Sequence, residues 1–85
     1  MNARLVLRDG PWCHYCHRRF RRRGMWVSFD HIWPQSRGRI DLEWNIVLAC
    51  RDCNSARGDR LDACQCEFCQ TAIQRAQVLI GSVAA

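Results

Sequence analysis

Cys13-His14-Tyr15-Cys16 and Cys50-Arg51-Asp52-Cys53 repeat one Cys-x-x-Cys spacing, with a long insert between the two copies. A turn of this kind presents two thiolates to a single metal ion, and tetrahedral zinc takes four soft ligands. The two pairs therefore predict one structural zinc ion. A redox-active pair, or buried cysteines without a metal, are the alternative interpretations. The predicted ligands are Cys13, Cys16, Cys50 and Cys53.

The length of the chain makes such a metal important for folding. A chain of 85 residues buries only about 60% of its unfolded surface, and scaffolds this small usually depend on a metal, disulfides or a partner. The first residues are too short and too polar for a signal peptide, so we expect a reducing compartment, the cytoplasm. Seven cysteines also exclude a complete set of disulfides. We expect residues 1–85 to form one domain.

Cys64, Cys66 and Cys69 form a further Cys-x-Cys-x-x-Cys motif. With His14 or His17 they would complete a second zinc site. They are equally compatible with three free thiols, or with one of them replacing a member of the first set.

The charge of the chain indicates a polyanionic partner. The formal net charge is +5 and all thirteen basic residues are arginine. Clustered arginines favour a phosphate backbone, although a solvated surface has the same composition. No apolar run approaches the length of a membrane span, so we expect no membrane association. The residues expected to contact nucleic acid are Arg21, Arg22, Arg23, Arg37 and Arg39.

The pattern of apolar residues predicts two strands and two helices. Residues 25–32 are rich in β-branched and aromatic side chains and are expected to be a strand. Residues 45–49, Asn-Ile-Val-Leu-Ala, are expected to be a second strand, with a loop over residues 34–39. A helix is expected from near Asp52, ended by Gly58. A second helix is predicted over residues 67–80 because apolar residues recur there at helical spacing. We interpret that stripe as core packing against the hairpin, with a dimer or partner surface as the alternative. The stripe comprises Phe68, Ala72, Ile73, Ala76, Leu79 and Ile80.

The residues between and after the two cysteine pairs carry a second pattern. Asp30-His31 comes first, followed by a segment with Pro34, Ser36 and Gly38, then Asn45-Ile46. Cys53-Asn54 and Arg57-Gly58 follow in that order. Over residues 13–60 this arrangement resembles the HNH endonuclease family. The last letter of the family name corresponds here to Asn54, and Arg39 follows Gly38 where many relatives have a second glycine.

The resemblance implies a fold, a reaction and a role for each residue. The fold would be a small, zinc-stabilised α+β domain, a ββα-metal finger with an additional C-terminal helix. The reaction would be metal-dependent hydrolysis of DNA phosphodiester bonds, with His31 as the general base that activates water. Asp30 and Asn54 would bind the catalytic divalent cation, magnesium or another. Asn45 would orient the loop that carries His31, and Arg57 would hold the scissile phosphate.

Two other classes of function compete with the nuclease. A non-catalytic, zinc-ribbon-like module that binds nucleic acid would explain the cysteines and the arginines, but it would not need Asp30, His31 and Asn54. A zinc knuckle that binds proteins fits less well with so many arginines. Small HNH proteins of bacteriophages and mobile elements take part in DNA packaging or homing. By that resemblance we expect phage partners and a bacterial or phage-infected host cell.

Overall fold

A computed structural model of the chain describes residues 3–20 and 27–84. The elements follow in the order α1 (Ala3–Asp9), β1 (Val27–His31), β2 (Ile46–Cys50), α2 (Arg51–Arg57) and α3 (Glu67–Ala84). The two strands pair in an antiparallel sheet, and two short 3-10 helices lie between them. The predicted fold class, a small α+β fold with ββα order and an additional C-terminal helix, is confirmed. Within the described residues, no helix has the length and apolar character needed to cross a membrane.

Contacts along the chain divide it into two compact units. The first comprises Met1–Asp30 and Val47–Gly58, and the second comprises His31–Ile46 and Asp59–Ala85.

The first unit is built on the interior strand β2 and the helix that follows it. Val47, Leu48 and Ala49 are almost completely buried, as a short continuous apolar run predicts. The Cys50 Sγ atom caps α2 by accepting a hydrogen bond from the Cys53 amide, so α2 begins at Arg51, one residue before the expected start. Gly58 ends α2 with a φ of 58°, a left-handed conformation that glycine adopts without a steric penalty.

The amino-terminal part of the first unit contains an element that the sequence did not indicate. The helix α1 spans seven residues and has a single buried apolar residue, Leu5, so it lacks the apolar period that marks longer helices. After it, residues 11–20 form a small hairpin. In this hairpin the Phe20 amide donates to the Pro11 carbonyl and Trp12 pairs with Arg19.

The core of the second unit lies between α3 and the segment that connects the strands. Cys69, Ala72 and Ala76 of α3 are buried, a spacing that places them on one helical face. Ala76 packs with Trp33 and Ile40 of the connecting segment. The prediction that this stripe packs in a core is therefore confirmed for Ala72 and Ala76. The expected packing partner was the hairpin, whereas the described contacts are with the segment that connects the two strands. Leu79 is 45% exposed and does not belong to the core.

Most element boundaries differ from the sequence expectations by a few residues. β1 is described from Val27, and residues 25–26 of the predicted strand lie outside the described residues. β2 begins and ends one residue later than expected, because Asn45 closes a 3-10 helix. The predicted loop 34–39 contains the 3-10 helix Gln35–Arg37. The helix α3 continues four residues past the predicted end, to Ala84.

Candidate active site and zinc centre

Four cysteines of the first unit converge on one point. The Sγ atoms of Cys13, Cys16, Cys50 and Cys53 all lie within 4.8 Å of one another. In each pair the amide of the second cysteine donates to the sulfur of the first, at 3.5 Å in the first pair and 3.4 Å in the second. The first pair is held against β2, because the His14 amide donates to the Leu48 carbonyl. Four sulfur donors arranged in this way fit tetrahedral zinc.

Hydrogen bonds and burial give these thiols unequal acidities. Burial opposes ionisation of Cys13, but backbone amides, that of Cys16 foremost, donate to its sulfur and lower its pKa to about 7. Burial and the neighbouring sulfurs raise the pKa of Cys53. A divalent cation bound between the four sulfurs would let all of them bind as thiolates.

Asp30 lies at the centre of a buried polar cluster in the first unit. One carboxylate oxygen accepts a hydrogen bond from Arg57 Nη1 at 2.9 Å, and the other accepts one from the Tyr15 hydroxyl. The side chains of Asp30 and Arg57 are only 5% and 4% exposed. A charge this deeply buried requires a partner of opposite sign, and Arg57 supplies it.

Asn54 lies next to this cluster along the same interface between strand and helix. Its amide nitrogen donates to the Ser28 hydroxyl at 3.0 Å, and that hydroxyl donates to the Ala49 carbonyl. Ser28 and Asp30 are two residues apart on β1 and share a face of the strand. Asn54 and Arg57 are three residues apart on α2 and share a face of the helix. The strand and the helix therefore contact each other in matching register.

The oxygen donors of this interface fit a hard divalent cation. Each carboxylate oxygen of Asp30 accepts one hydrogen bond and keeps a second lone pair. The amide nitrogen of Asn54 is directed to Ser28, so its amide oxygen is available as a second ligand. Carboxylate and amide oxygens are the donor types that magnesium prefers in proteins.

His31 is held by two side chains of the second unit. Its Nε2 atom lies 2.8 Å from an Asp41 carboxylate oxygen, and its Nδ1 atom lies 3.1 Å from the Gln35 amide nitrogen. Arg39 Nε contacts both oxygens of the same carboxylate, at 3.0 and 2.8 Å. Hydrogen bonding to His31, followed by the contact with Arg39, holds the pKa of Asp41 below its usual value.

These contacts determine which nitrogen of His31 accepts a proton. An ionised carboxylate only accepts hydrogen bonds, so Nε2 carries the proton that is donated to Asp41. The lone pair of neutral imidazole then lies on Nδ1, where it accepts from the Gln35 amide. An imidazole oriented by a carboxylate on one nitrogen, with its lone pair on the other, is the arrangement of a general base.

Asn45 fixes the backbone that follows His31. Its side chain is completely buried; the amide oxygen accepts from the Trp33 amide at 2.7 Å, and the amide nitrogen donates to the Ile40 carbonyl at 2.9 Å. The Asn45 carbonyl accepts from the Ile32 amide at 2.8 Å. One buried residue therefore links both ends of the loop after β1.

The structure locates only part of the arginine set that was expected to bind nucleic acid. Arg37 and Arg39 are exposed in the second unit, and the guanidinium of Arg37 lies 6.0 Å from the centre of the Trp33 ring. Arg21, Arg22 and Arg23 lie outside the described residues.

Four partners of the candidate residues were not identified from the sequence. Tyr15 contacts Asp30, and Ser28 contacts Asn54. Gln35 and Asp41 contact His31. Gln35 begins a 3-10 helix four residues after His31, and Asp41 lies on an irregular segment ten residues after it, so no shared periodicity connects either residue to His31. Only their hydrogen-bonding side chains near a candidate base could have drawn attention to them.

The comparison with known families agrees with this geometry. A model of the family described as HNH endonuclease matches residues 13–60, which is more than half of the chain. No curated protein and no solved structure matches the chain. The matched range includes both cysteine pairs of the candidate zinc site, the candidate base and the Asp30 cluster. The chain belongs to the HNH endonuclease family.

Proposed function

We propose that this chain is a metal-dependent endonuclease that hydrolyses phosphodiester bonds of DNA, with His31 as the general base. The observation that supports the proposal most strongly is the arrangement of the His31 imidazole. Asp41 accepts a hydrogen bond from its Nε2 atom, which leaves the Nδ1 lone pair as the proton acceptor. A side chain that only stabilised the fold would not need a fixed basic nitrogen at the end of a strand.

In the proposed reaction, a water molecule takes the place of the Gln35 amide at Nδ1 and gives a proton to that nitrogen. The resulting hydroxide oxygen forms a bond to phosphorus while the bond from phosphorus to one sugar oxygen breaks, and that sugar oxygen takes up a proton from a water molecule. Asp41 offsets the positive charge that the imidazole acquires. Asn45 keeps the loop after β1 in place, so that the imidazole does not have to be reoriented during proton transfer.

Asp30 and Asn54 are the proposed ligands of the catalytic cation, for which magnesium is the natural candidate. When bound, such a cation stabilises negative charge on the phosphate and on the leaving oxygen. Arg57 neutralises Asp30 in this structure. Its proposed second task is to hold the scissile phosphate, as the family resemblance implies.

DNA is the proposed partner because the chain carries a net charge of +5 and only arginines as basic residues. Guanidinium groups bind phosphates through paired hydrogen bonds. The proposed contact set consists of Arg37 and Arg39 together with Arg21, Arg22 and Arg23. Affinity that depends on such contacts decreases steeply with salt concentration.

The remaining proposals concern the domain organisation of the protein, the cell in which it acts and its biological role. We propose that residues 1–85 act as one domain in the cytoplasm of a bacterial or phage-infected cell, with a role in phage DNA packaging or homing. These proposals rest on the resemblance to small HNH proteins alone.

The experiment that tests the function is cleavage of supercoiled plasmid DNA by the full chain with a panel of divalent cations. We expect nicked or linear products with magnesium or a related cation, and no products after chelation of the added cation. Zinc content measured in the same samples shows that the zinc centre remains loaded. A chain that retards plasmid in a gel but leaves it intact with every cation would support the rival function, a non-catalytic binding module.

A further inference from the structure

The second unit contains a sulfur cluster that the proposed function does not use. The Sγ atoms of Cys64, Cys66 and Cys69 lie within 4.8 Å of one another. Cys69 is only 2% exposed and lies on the core-facing side of α3. None of the three forms a disulfide, so no disulfide accounts for their proximity.

The turn from Cys66 to Cys69 has the same local geometry as the zinc centre of the first unit. The Cys69 amide donates to the Cys66 sulfur at 3.4 Å, as the second cysteine does in both pairs of that centre. The Gln70 amide donates to the Cys66 carbonyl at 3.0 Å, and the His17 amide makes the equivalent bond to the Cys13 carbonyl, also at 3.0 Å.

The position of this turn relative to its helix is also repeated. Cys66 immediately precedes α3, as Cys50 immediately precedes α2. In both cases the sulfur before the helix accepts the amide three residues later, inside the first turn. Such amide hydrogen bonds stabilise a thiolate, the form that binds metal.

We propose that Cys64, Cys66 and Cys69 bind a second zinc ion. Three thiolates supply three corners of a tetrahedron, and the fourth ligand would be an imidazole or a water molecule. The ion would tie the irregular segment before α3 to the first turn of that helix, which contributes Cys69 and Ala76 to the core of the second unit.

The test is the zinc stoichiometry of the full chain, measured by native mass spectrometry and by elemental analysis. We expect two zinc ions per chain in the wild type. The Cys66→Ser and Cys64→Ser variants should each keep the first ion and lose the second. The matched control Gln65→Ala alters the residue between these two cysteines without removing a sulfur, and should keep both ions.

Cobalt titration of the metal-free wild type keeps the proposal testable if the serine variants fail to fold. Tetrahedral cobalt bound by thiolates absorbs through charge transfer from sulfur, so the absorbance should increase until two equivalents are bound. A wild type that saturates at one equivalent would overturn the proposal. Serine variants that still hold two zinc ions would overturn it as well.

Discussion

Two aspartates of this small protein accept hydrogen bonds of nearly equal length in very different surroundings. In the first unit, Asp30 lies 2.9 Å from Arg57, and both side chains are at most 5% exposed. In the second unit, Asp41 lies 2.8 Å from His31, and the aspartate side chain is 54% exposed. Asp41 shares its carboxylate with Arg39, which is more exposed still.

The difference shows that the distance between two charged or polar atoms does not by itself determine how much their contact contributes to stability. A buried charge that loses its partner cannot be solvated, so the Asp30–Arg57 pair is sensitive to any loss of one member. Water screens the contacts of Asp41, and their loss has a small effect on folding. The buried pair therefore belongs to the architecture that holds β1 against α2.

The largest expected effect comes from removing a zinc ligand from the unit that contains the buried pair. The Cys50→Ser variant should unfold, because structural zinc contributes on the order of 10 kcal/mol or more to folding in domains of this kind. Serine is a good helix cap, so this variant keeps the hydrogen-bonding function that Cys50 has at the start of α2. Circular dichroism and zinc content measure the effect.

The control for this variant is Asp52→Ser, which places the same residue at an exposed position of the same turn. It should stay folded and keep its zinc. A Cys50→Ser chain that folds cooperatively without zinc would show that the metal is not required for this unit.

The next largest effect is expected when the buried Asp30–Arg57 pair is broken. The Arg57→Ala variant should lose about 3–5 kcal/mol of stability, because it leaves the Asp30 carboxylate buried without a cation. Adding Asp30→Asn to Arg57→Ala should recover part of the loss, since the remaining group is then neutral. Urea denaturation of the wild type and the two variants measures these differences.

The comparison variant is Arg39→Ala, which removes a cation from the exposed carboxylate instead. We expect little measurable change in stability, because that contact is screened by water. Equal losses for Arg57→Ala and Arg39→Ala would contradict the contrast between the two pairs.

A smaller effect is expected when Asp41 loses its charge. The Asp41→Asn variant should cleave plasmid DNA more slowly by a factor of roughly five or less. The asparagine oxygen can still accept the hydrogen bond from Nε2, so the variant loses only the charge of a half-exposed group. Initial nicking rates at saturating magnesium provide the measurement. A complete loss of activity in Asp41→Asn, with zinc and fold intact, would mean that this contact is much stronger than its exposure indicates.

The smallest effect concerns the dependence of stability on pH. The pKa of Asp41 is lowered in the folded chain, so its carboxylate stabilises the fold above the unfolded pKa of about 4. That contribution is lost as the pH falls through the folded pKa. The Asp41→Asn variant should therefore show a slightly weaker decrease in stability on acidification. Denaturation midpoints of the wild type and the variant, measured between neutral pH and pH 3, should reveal this difference. Identical pH profiles for the two proteins would contradict the prediction.

The sequence predicted the features that local patterns and ligand spacing control. The two cysteine pairs indicated the cluster that the structure forms, and continuous apolar residues indicated β2. The spacing of Ala72 and Ala76 correctly indicated the buried face of α3. Each of these features depends on residues close in sequence or on a chemistry with strict spacing.

Contacts between distant residues could not be predicted in the same way. Arg57 was singled out for a phosphate contact, and its buried pairing with Asp30, 27 residues away, was not anticipated. The partnership of Asp41 with His31 depends on how the loop after β1 closes, which Asn45 determines through its buried amide. The roles of the site residues in catalysis stay predictions.

The most direct test of the proposed endonuclease is the plasmid nicking rate of His31→Ala. Loss of a positioned general base costs about 10²–10⁴ in rate, so cleavage should fall to near background. Zinc content and DNA affinity should stay at the wild-type level, because His31 is neither a thiolate ligand nor an arginine. The control Gln77→Ala, at an exposed position of α3, should cleave normally. If His31→Ala keeps its zinc and nicks plasmid at the wild-type rate, His31 is not the base and the proposed mechanism is wrong.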